Sequence, residues 1–264
     1  MTGVGAAAPS PYEVAAGHEA RGRRRALGLV AGATAPGAVV VLVVLLVLVG
    51  PVEAVPAAVV LWAGLIGLLW RAAPGVVVRG LGAQPADPAA FARLHNLTES
   101  LCVAAGLPKP ALLVVADDSP NSMSVGLSRR SASLVVTSGL AAQLSRLELE
   151  AVLAHELSHI RRGDVAVSAA AGATLGPVLR VAPGAGRRLA GRLLEGREAA
   201  ADVAAVGLTR YPPALASALE RMRDGSAGKT GRGPAGAALL WNVAPVAAGP
   251  ADSVDVRIES LLEL

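Results

Sequence analysis

Cysteine is almost missing from this 264-residue chain. Cys102 stands alone, so no intramolecular disulfide can form and no zinc site can be built from several thiolates. Its helical surroundings make it a core thiol. Aromatic residues are only 2% of the sequence, too few for the stacking platforms that hold single-stranded nucleic acid. Charged residues reach 17%, against about 25% in ordinary soluble domains. Hydrophobic residues make up the balance, at 53% with a mean hydropathy of +0.53. That surplus is concentrated in residues 26–70, which points to a membrane segment. The net charge of +4 does not restore a nucleic-acid reading, because the basic residues bracket this apolar stretch.

Residues 1–25 are rich in Ala, Gly and Pro and end in Arg21, Arg23, Arg24 and Arg25, which predicts a disordered basic cytoplasmic tail. An apolar run follows from Ala26 to Val49, long enough to cross a bilayer at about 1.5 Å per residue. Gly50, Pro51, Glu53 and Pro56 form a turn, and a second, shorter run extends from Ala57 to Trp70. Arg71 and Arg79 close it. Basic residues at both ends of this hairpin (residues 26–79) place both ends in the cytoplasm by the positive-inside rule. The expected location is a bacterial-type cytoplasmic (inner) membrane, multi-pass, with residues 80–264 as a cytoplasmic domain and the bilayer as one partner. A cleaved signal peptide over 21–54 is the rival, but the second apolar run directly after it argues against cleavage.

From Gly80 onward the pattern is globular. Helical spacing marks Pro88 to Gly106, Gly139 to Leu144 and Glu148 to Arg162, with Gly163 ending the last. Leu112 to Val115 and Ser133 to Thr137 read as short buried strands with a turn at Asp117 to Asn121. Val165 to Leu179 is apolar and Ala/Gly-rich, and is predicted to pack beside the 148–162 helix without spanning the membrane. Arg187 to Thr209, Pro213 to Met222 and Val256 to Leu264 read as helices, with the GSAGKTGRGPAG stretch as a flexible loop.

Two of the four histidines fall in HELSH at 155–159. On a helix this puts the His155 and His159 imidazoles on one face a turn apart, where both can bind one zinc ion. Glu156 then stands beside the open coordination position as a base for water. Incidental histidines on a solvated helix are the plain alternative, but the AVLAHELSHI context is too apolar for two unpartnered imidazoles. A catalytic zinc needs a third protein ligand, and REAAAD at 197–202 offers Glu198 with Asp202 one turn later. One carboxylate can bind metal while the other orients a ligand histidine.

The segments LVVADDSPNSMSVG, LVVTSGL, LELEAVLAHELSHIRRGD and REAAAD, together with GLPKP at 106–110 and RIESL at 257–261, resemble successive motifs of the HtpX and CaaX prenyl endopeptidase family of membrane zinc peptidases. The resemblance covers roughly 88–264. It implies a mostly helical α+β fold of the zincin-like gluzincin type, with a small β-sheet after the transmembrane hairpin. It implies one zinc ion per chain held by His155, His159 and Glu198, Glu156 as general base and Asp202 behind the ligands. It also implies an edge strand that holds a polypeptide substrate in extended form. Ser133, Leu134, Val135, Val136 and Thr137 are the candidate edge, with Asn121 as a further substrate contact.

Two departures stand out. The His-Pro pair that familiar members carry before the C-terminal Arg is absent from PADSVDVRI, which leaves the oxyanion to zinc with Arg257 as the candidate helper. The interval between His159 and Glu198 is also short, with one apolar stretch where HtpX-type members thread two membrane helices. That interval resembles the beta-lactam-sensor type of membrane metallopeptidase. The leading expectation is an endopeptidase acting on membrane or misfolded proteins at the cytoplasmic face. A signalling peptidase for a dedicated repressor is the second, and a catalytically silent zinc scaffold the third.

Overall fold

The computed structural model of the chain describes residues 11–194, 196–226, 240–243 and 253–264. Two long helices, α1 (Pro11–Val49) and α2 (Pro51–Gly80), turn back on each other at Gly50. Gly50 has φ 87°, a conformation only glycine adopts without strain, and Pro51 opens the next helix with its φ preset. Trp62 Nε1 donates to Thr34 Oγ1 at 2.9 Å and joins the two helices midway. Apolar side chains over this hairpin, among them Val39, Val47, Val60 and Leu68, face outward. The stretch from Leu27 to Val49 extends about 34 Å at 1.5 Å per residue, enough for a hydrocarbon core of about 30 Å.

The expected disorder of the tail does not hold over 11–25, because α1 already begins at Pro11. No proline interrupts the chain between Pro11 and Pro36, and Ala and Arg are frequent there, so the apolar helix propagates backwards despite four glycines. Residues 1–10 lie outside the described residues. Gly22 is where α1 meets the domain: a Cβ there would stand 2.6 Å from the Gly163 carbonyl oxygen.

Below the hairpin lies a four-stranded sheet of β1 (Gln84–Pro85), β2 (Ala111–Val115), β3 (Ser122–Val125) and β4 (Ser133–Thr137), in the order β1-β2-β4-β3. β4 runs parallel to β2, with Leu113 opposite Val135, and antiparallel to β3, with Met123 opposite Val135. This corrects the expected substrate edge. Ser133, Leu134, Val135, Val136 and Thr137 are paired on both sides and cannot offer free backbone to a peptide. Leu134 and Val136 enter the main core, and Val135 enters a second one. A strand buried on both faces reads as a continuous apolar run, which is why SLVVT stands out in the sequence and polar SMSV does not. The outer strands are β1 and β3, and on β3 the Ser122 carbonyl accepts from the Asn242 amide.

α3 (Ala92–Ala105), α5 (Arg146–Arg162) and α9 (Pro212–Ser226) pack around the main core. α4 (Ser138–Gln143) links β4 to α5. α5 starts at a capping box between Ser145 and Glu148, and ends where Gly163 takes φ 78°. Glu148 also accepts from Ser217 Oγ at 2.6 Å and Arg221 Nε at 2.7 Å, which fastens α5 to α9. Burial raises the Glu148 carboxyl, but these donors and those of Ser145 outweigh it and bring it down to about 2.

α6 (Val165–Val181) takes α1, α2, α7 (Pro183–Leu194) and β3 as its main neighbours, a different set from the α5 packing expected. Ala166, Ala170 and Leu175 of α6 form one cluster with Ala26, Val30 and Trp70 of the hairpin. The small side chains allow close approach. The single helix expected over 187–209 is broken at Gly196, φ 71°, so that α8 (Arg197–Thr209) begins as a new helix with Glu198 in its first turn. α10 (Val254–Leu262) ends the domain. Most of the GSAGKTGRGPAG loop lies outside the described residues.

Candidate metal centre

Every residue of α5 from Ala151 to Ile160 is buried, because α3, α8, α9 and β3 all pack against it. HELSH is therefore an interior segment, and its polar side chains must find partners inside the protein. His155 and His159 project toward the first turn of α8, where Glu198 meets the two imidazoles, while Glu156 meets Ser122 of β3. Ligand atoms of His155, His159 and Glu198 all lie within 4.8 Å of one another. Glu198 Oε2 is 3.3 Å from His155 Nε2, and Oε1 is 3.4 Å from His159 Nε2. Donors about 2.1 Å from a tetrahedral metal stand roughly 3.4 Å apart, so the three residues fit one ion. Among the described residues, His155 Nε2 and Glu198 Oε2 are buried without a hydrogen-bond partner, as atoms turned toward a cation would be.

The groups behind the triad fix its orientation. Asp202 Oδ1 lies 2.7 Å from His155 Nδ1, which leaves Nε2 to face the metal position. Asp164 Oδ2 stands 3.3 Å from His159 Nδ1 and is braced by Arg162 and Arg197. Burial disfavours charge on His155, but the hydrogen bond and charge of Asp202, followed by Glu198, raise it to about 9. Burial likewise opposes the Glu198 carboxylate, yet His159, His155 and Arg257 hold it well below the usual range. A cation entering this cluster must therefore displace protons from the imidazoles, so metal affinity falls in acid.

Glu156 is not in the ligand group. Ser122 Oγ donates to its Oε1 at 2.7 Å, and Glu156 lines a cleft together with His159, Glu198, Ser124, Arg197 and Asn242. Arg257, expected beside the oxyanion, is engaged with Asp202 and Asn242, and its Nη1 stands 3.6 Å from Glu198 Oε2. Its Nε and Nη2 donate to Asp202 at 2.7 and 2.9 Å, and Nη1 and Nη2 donate to the Asn242 carbonyl and Oδ1 at 2.9 and 2.8 Å. Asn121, expected to touch substrate, is also committed elsewhere. Its side chain donates to the Val243 carbonyl and accepts from the Val243 and Ser122 amides.

Four residues with roles here were not singled out from the sequence. Asp164 sits inside the HELSHIRRGD motif, and the Gly163 cap that turns the chain back beneath His159 is its visible signal. Ser122 and Ser124 alternate with Met123 and Val125, the period of a half-polar strand, over only four residues. Asn242 has no sequence signal.

A family model described as peptidase family M48 matches residues 88–232, more than half of the chain. Curated relatives named "Protease HtpX homolog" are similar to it. One from Dictyoglomus thermophilum is 34% identical over 179 residues, 56% of this chain and 59% of the relative. One from Tropheryma whipplei is 32% identical over 189 residues, 60% and 65% of the two chains. One from Caldanaerobacter subterraneus subsp. tengcongensis is 43% identical over 90 residues, 34% and 30%. The chain thus covers from 30% to 65% of the length of these relatives. No solved structure matches it. The matched segment contains the whole His155, His159 and Glu198 cluster, with Glu156 beside it and Asp202 behind, and the chain belongs to peptidase family M48.

Proposed function

We propose that this chain is a membrane-anchored zinc endopeptidase that hydrolyses extended polypeptides at the cytoplasmic face. The observation that carries the reading is the triad of buried His155 and His159 with half-buried Glu198, and a carboxylate, Glu156, beside it that binds no neighbour in the triad. A purely structural site has no use for that free base. Zinc, when bound, supplies the Lewis acidity that polarises a peptide carbonyl and acidifies a water molecule. Glu156 takes the proton of the attacking water and returns it to the leaving amine. Ser122 holds one oxygen of Glu156 and leaves the other for this work.

β3 supports the polypeptide part of the reading. The Thr137 amide donates to the Asn121 carbonyl, and this register turns the backbone groups of Ser122 and Ser124 away from β4. The Ser122 carbonyl accepts from the Asn242 amide at 2.8 Å. Ser124, next along the edge and lining the cleft, is where an extended peptide can add as a strand.

The deciding experiment uses the full chain in detergent. The expected result is one zinc ion per chain and cleavage of a casein-type substrate, abolished by 1,10-phenanthroline and restored by added zinc. Cleavage undiminished in the metal-free protein, or none in the zinc-loaded protein, would overturn the reading.

Orientation rests on the exposed Arg21, Arg23, Arg24, Arg25 and Arg71, which ring the domain end of the hairpin, against Glu53 at its turn. Single cysteines at Val52 and Ala90 test it in intact cells, since Cys102 is buried. A membrane-impermeant thiol reagent should label position 52 alone. Labelling of position 90 from outside would reverse the topology.

A further inference from the structure

Residues 240–243 run along the outer side of β3, and the structure fixes Asn242 there from both sides. Its amide donates to the Ser122 carbonyl, and its own carbonyl accepts from Arg257 Nη1. Its side-chain Oδ1 accepts from Arg257 Nη2 at 2.8 Å. A guanidinium has donors only, so the atom facing Arg257 is the amide oxygen, and the NH2 group is turned the opposite way. Asn242 is only 4% exposed, and among the described residues its Nδ2 has no hydrogen-bond partner. A buried donor left unmade is costly, and such a group in a native protein asks for an acceptor that arrives from outside. Asn242 lines the cleft with Glu156, His159 and Glu198.

We propose that Asn242 is a catalytic residue whose Nδ2 donates to the oxygen of the scissile carbonyl. This deepens the peptidase reading and rests on it. Water oxygen bonds to the carbonyl carbon, the carbonyl π pair moves onto its oxygen, and the water proton passes to Glu156. The carbon–nitrogen bond then breaks as Glu156 delivers that proton to the amine nitrogen. Asn242 meets the oxygen that gains negative charge. It cannot shift away to satisfy itself, because Arg257 and Ser122 hold its backbone and Arg257 holds Oδ1. A donor fixed in advance where charge develops costs nothing to reorganise during the reaction. Arg257 is already engaged, since its nitrogens donate to Asp202 and Asn242 and its Nη1 stands 3.6 Å from Glu198 Oε2.

The test uses full-chain Asn242→Asp and Asn242→Ala with zinc bound. Asn242→Asp keeps the acceptor for Arg257 and replaces the donor, so the contact that holds residue 242 to Arg257 remains even where Asn242→Ala loses it. The expected result is a kcat about 100-fold or more below wild type with KM changed only slightly. Zinc content should be unchanged, and affinity for a phosphinic peptide inhibitor, whose anionic oxygen copies the charged carbonyl oxygen, should fall by a similar factor. A kcat within about threefold of wild type, an unchanged inhibitor affinity, or loss of zinc from Asn242→Asp would each overturn the proposal. Absence of cleavage by the zinc-loaded wild type would overturn the peptidase reading itself, and this inference with it.

Discussion

Glu156→Gln is expected to lower peptide hydrolysis by about 10²- to 10⁴-fold while the protein keeps its fold and its zinc. Glutamine has the same shape, and its amide oxygen can still accept from Ser122 Oγ, so the hydrogen bond at 2.7 Å need not be lost. Glu156 is 1% exposed, so the substitution removes a buried charge and introduces none. What disappears is the ability to take a proton from water and hand it on. The ligand triad does not include Glu156, so metal stoichiometry should match wild type. Turnover of a casein-type substrate, zinc per chain and thermal unfolding, measured on the same preparation, separate these effects. Turnover near the wild-type rate would remove Glu156 from the mechanism. Loss of zinc would make it a ligand.

The metal cluster was legible in the sequence because its geometry is local. An i, i+4 pair of histidines on one helix needs no knowledge of the rest of the fold, and Glu198 with Asp202 repeats that spacing on a second. Arg257 was legible as a residue but not as a role. Its place opposite Asp202 depends on how α10 packs, and a guanidinium reads the same in sequence whether it faces substrate or a buried carboxylate. The sheet shows a similar division. SLVVT was readable as a strand, but only long-range pairing decides whether a strand is interior or edge, and β3 takes the edge with a polar sequence that carries little strand signal. α6 was readable as an apolar helix. Its neighbours were not readable, because Ala and Gly pack equally well on α5 or on the hairpin. The hairpin in turn does more than anchor: Ala73, Val77 and Leu81 share a core with Met123, Val125 and Val135.

Arg257→Met carries the second large expected effect, a loss of about 3–5 kcal/mol in stability together with a fall of roughly 10- to 100-fold in zinc affinity. Arg257 is 2% exposed and grips both oxygens of Asp202, whose Oδ1 also lies against His155 Nδ1. Methionine fills much of the same volume without charge. It leaves a buried carboxylate that has lost its guanidinium, and it strips the Asn242 carbonyl and Oδ1 of their donors. Removing one partner of a buried pair is costly for that reason, even where the pair as a whole adds little. Asp202 is then free to turn, and the tautomer and tilt of the His155 ring are no longer fixed. The pH dependence follows from the Asp202 carboxyl. Burial raises it, but Arg257 and then His155 outweigh burial and hold it below the usual range. Its stabilising contribution is therefore complete above an ordinary aspartate pKa of about 3.9 and is lost as pH falls through the lower folded-state value. The gap between zinc-free wild type and Arg257→Met should be widest near neutrality and close in acid, where Asp202 is neutral in both proteins. Chemical unfolding at neutral and acid pH, with zinc affinity measured against a chromophoric chelator, reads both effects. A variant within about 1 kcal/mol of wild type at neutral pH, with zinc affinity intact, would mean that Asp202 needs no cation behind it.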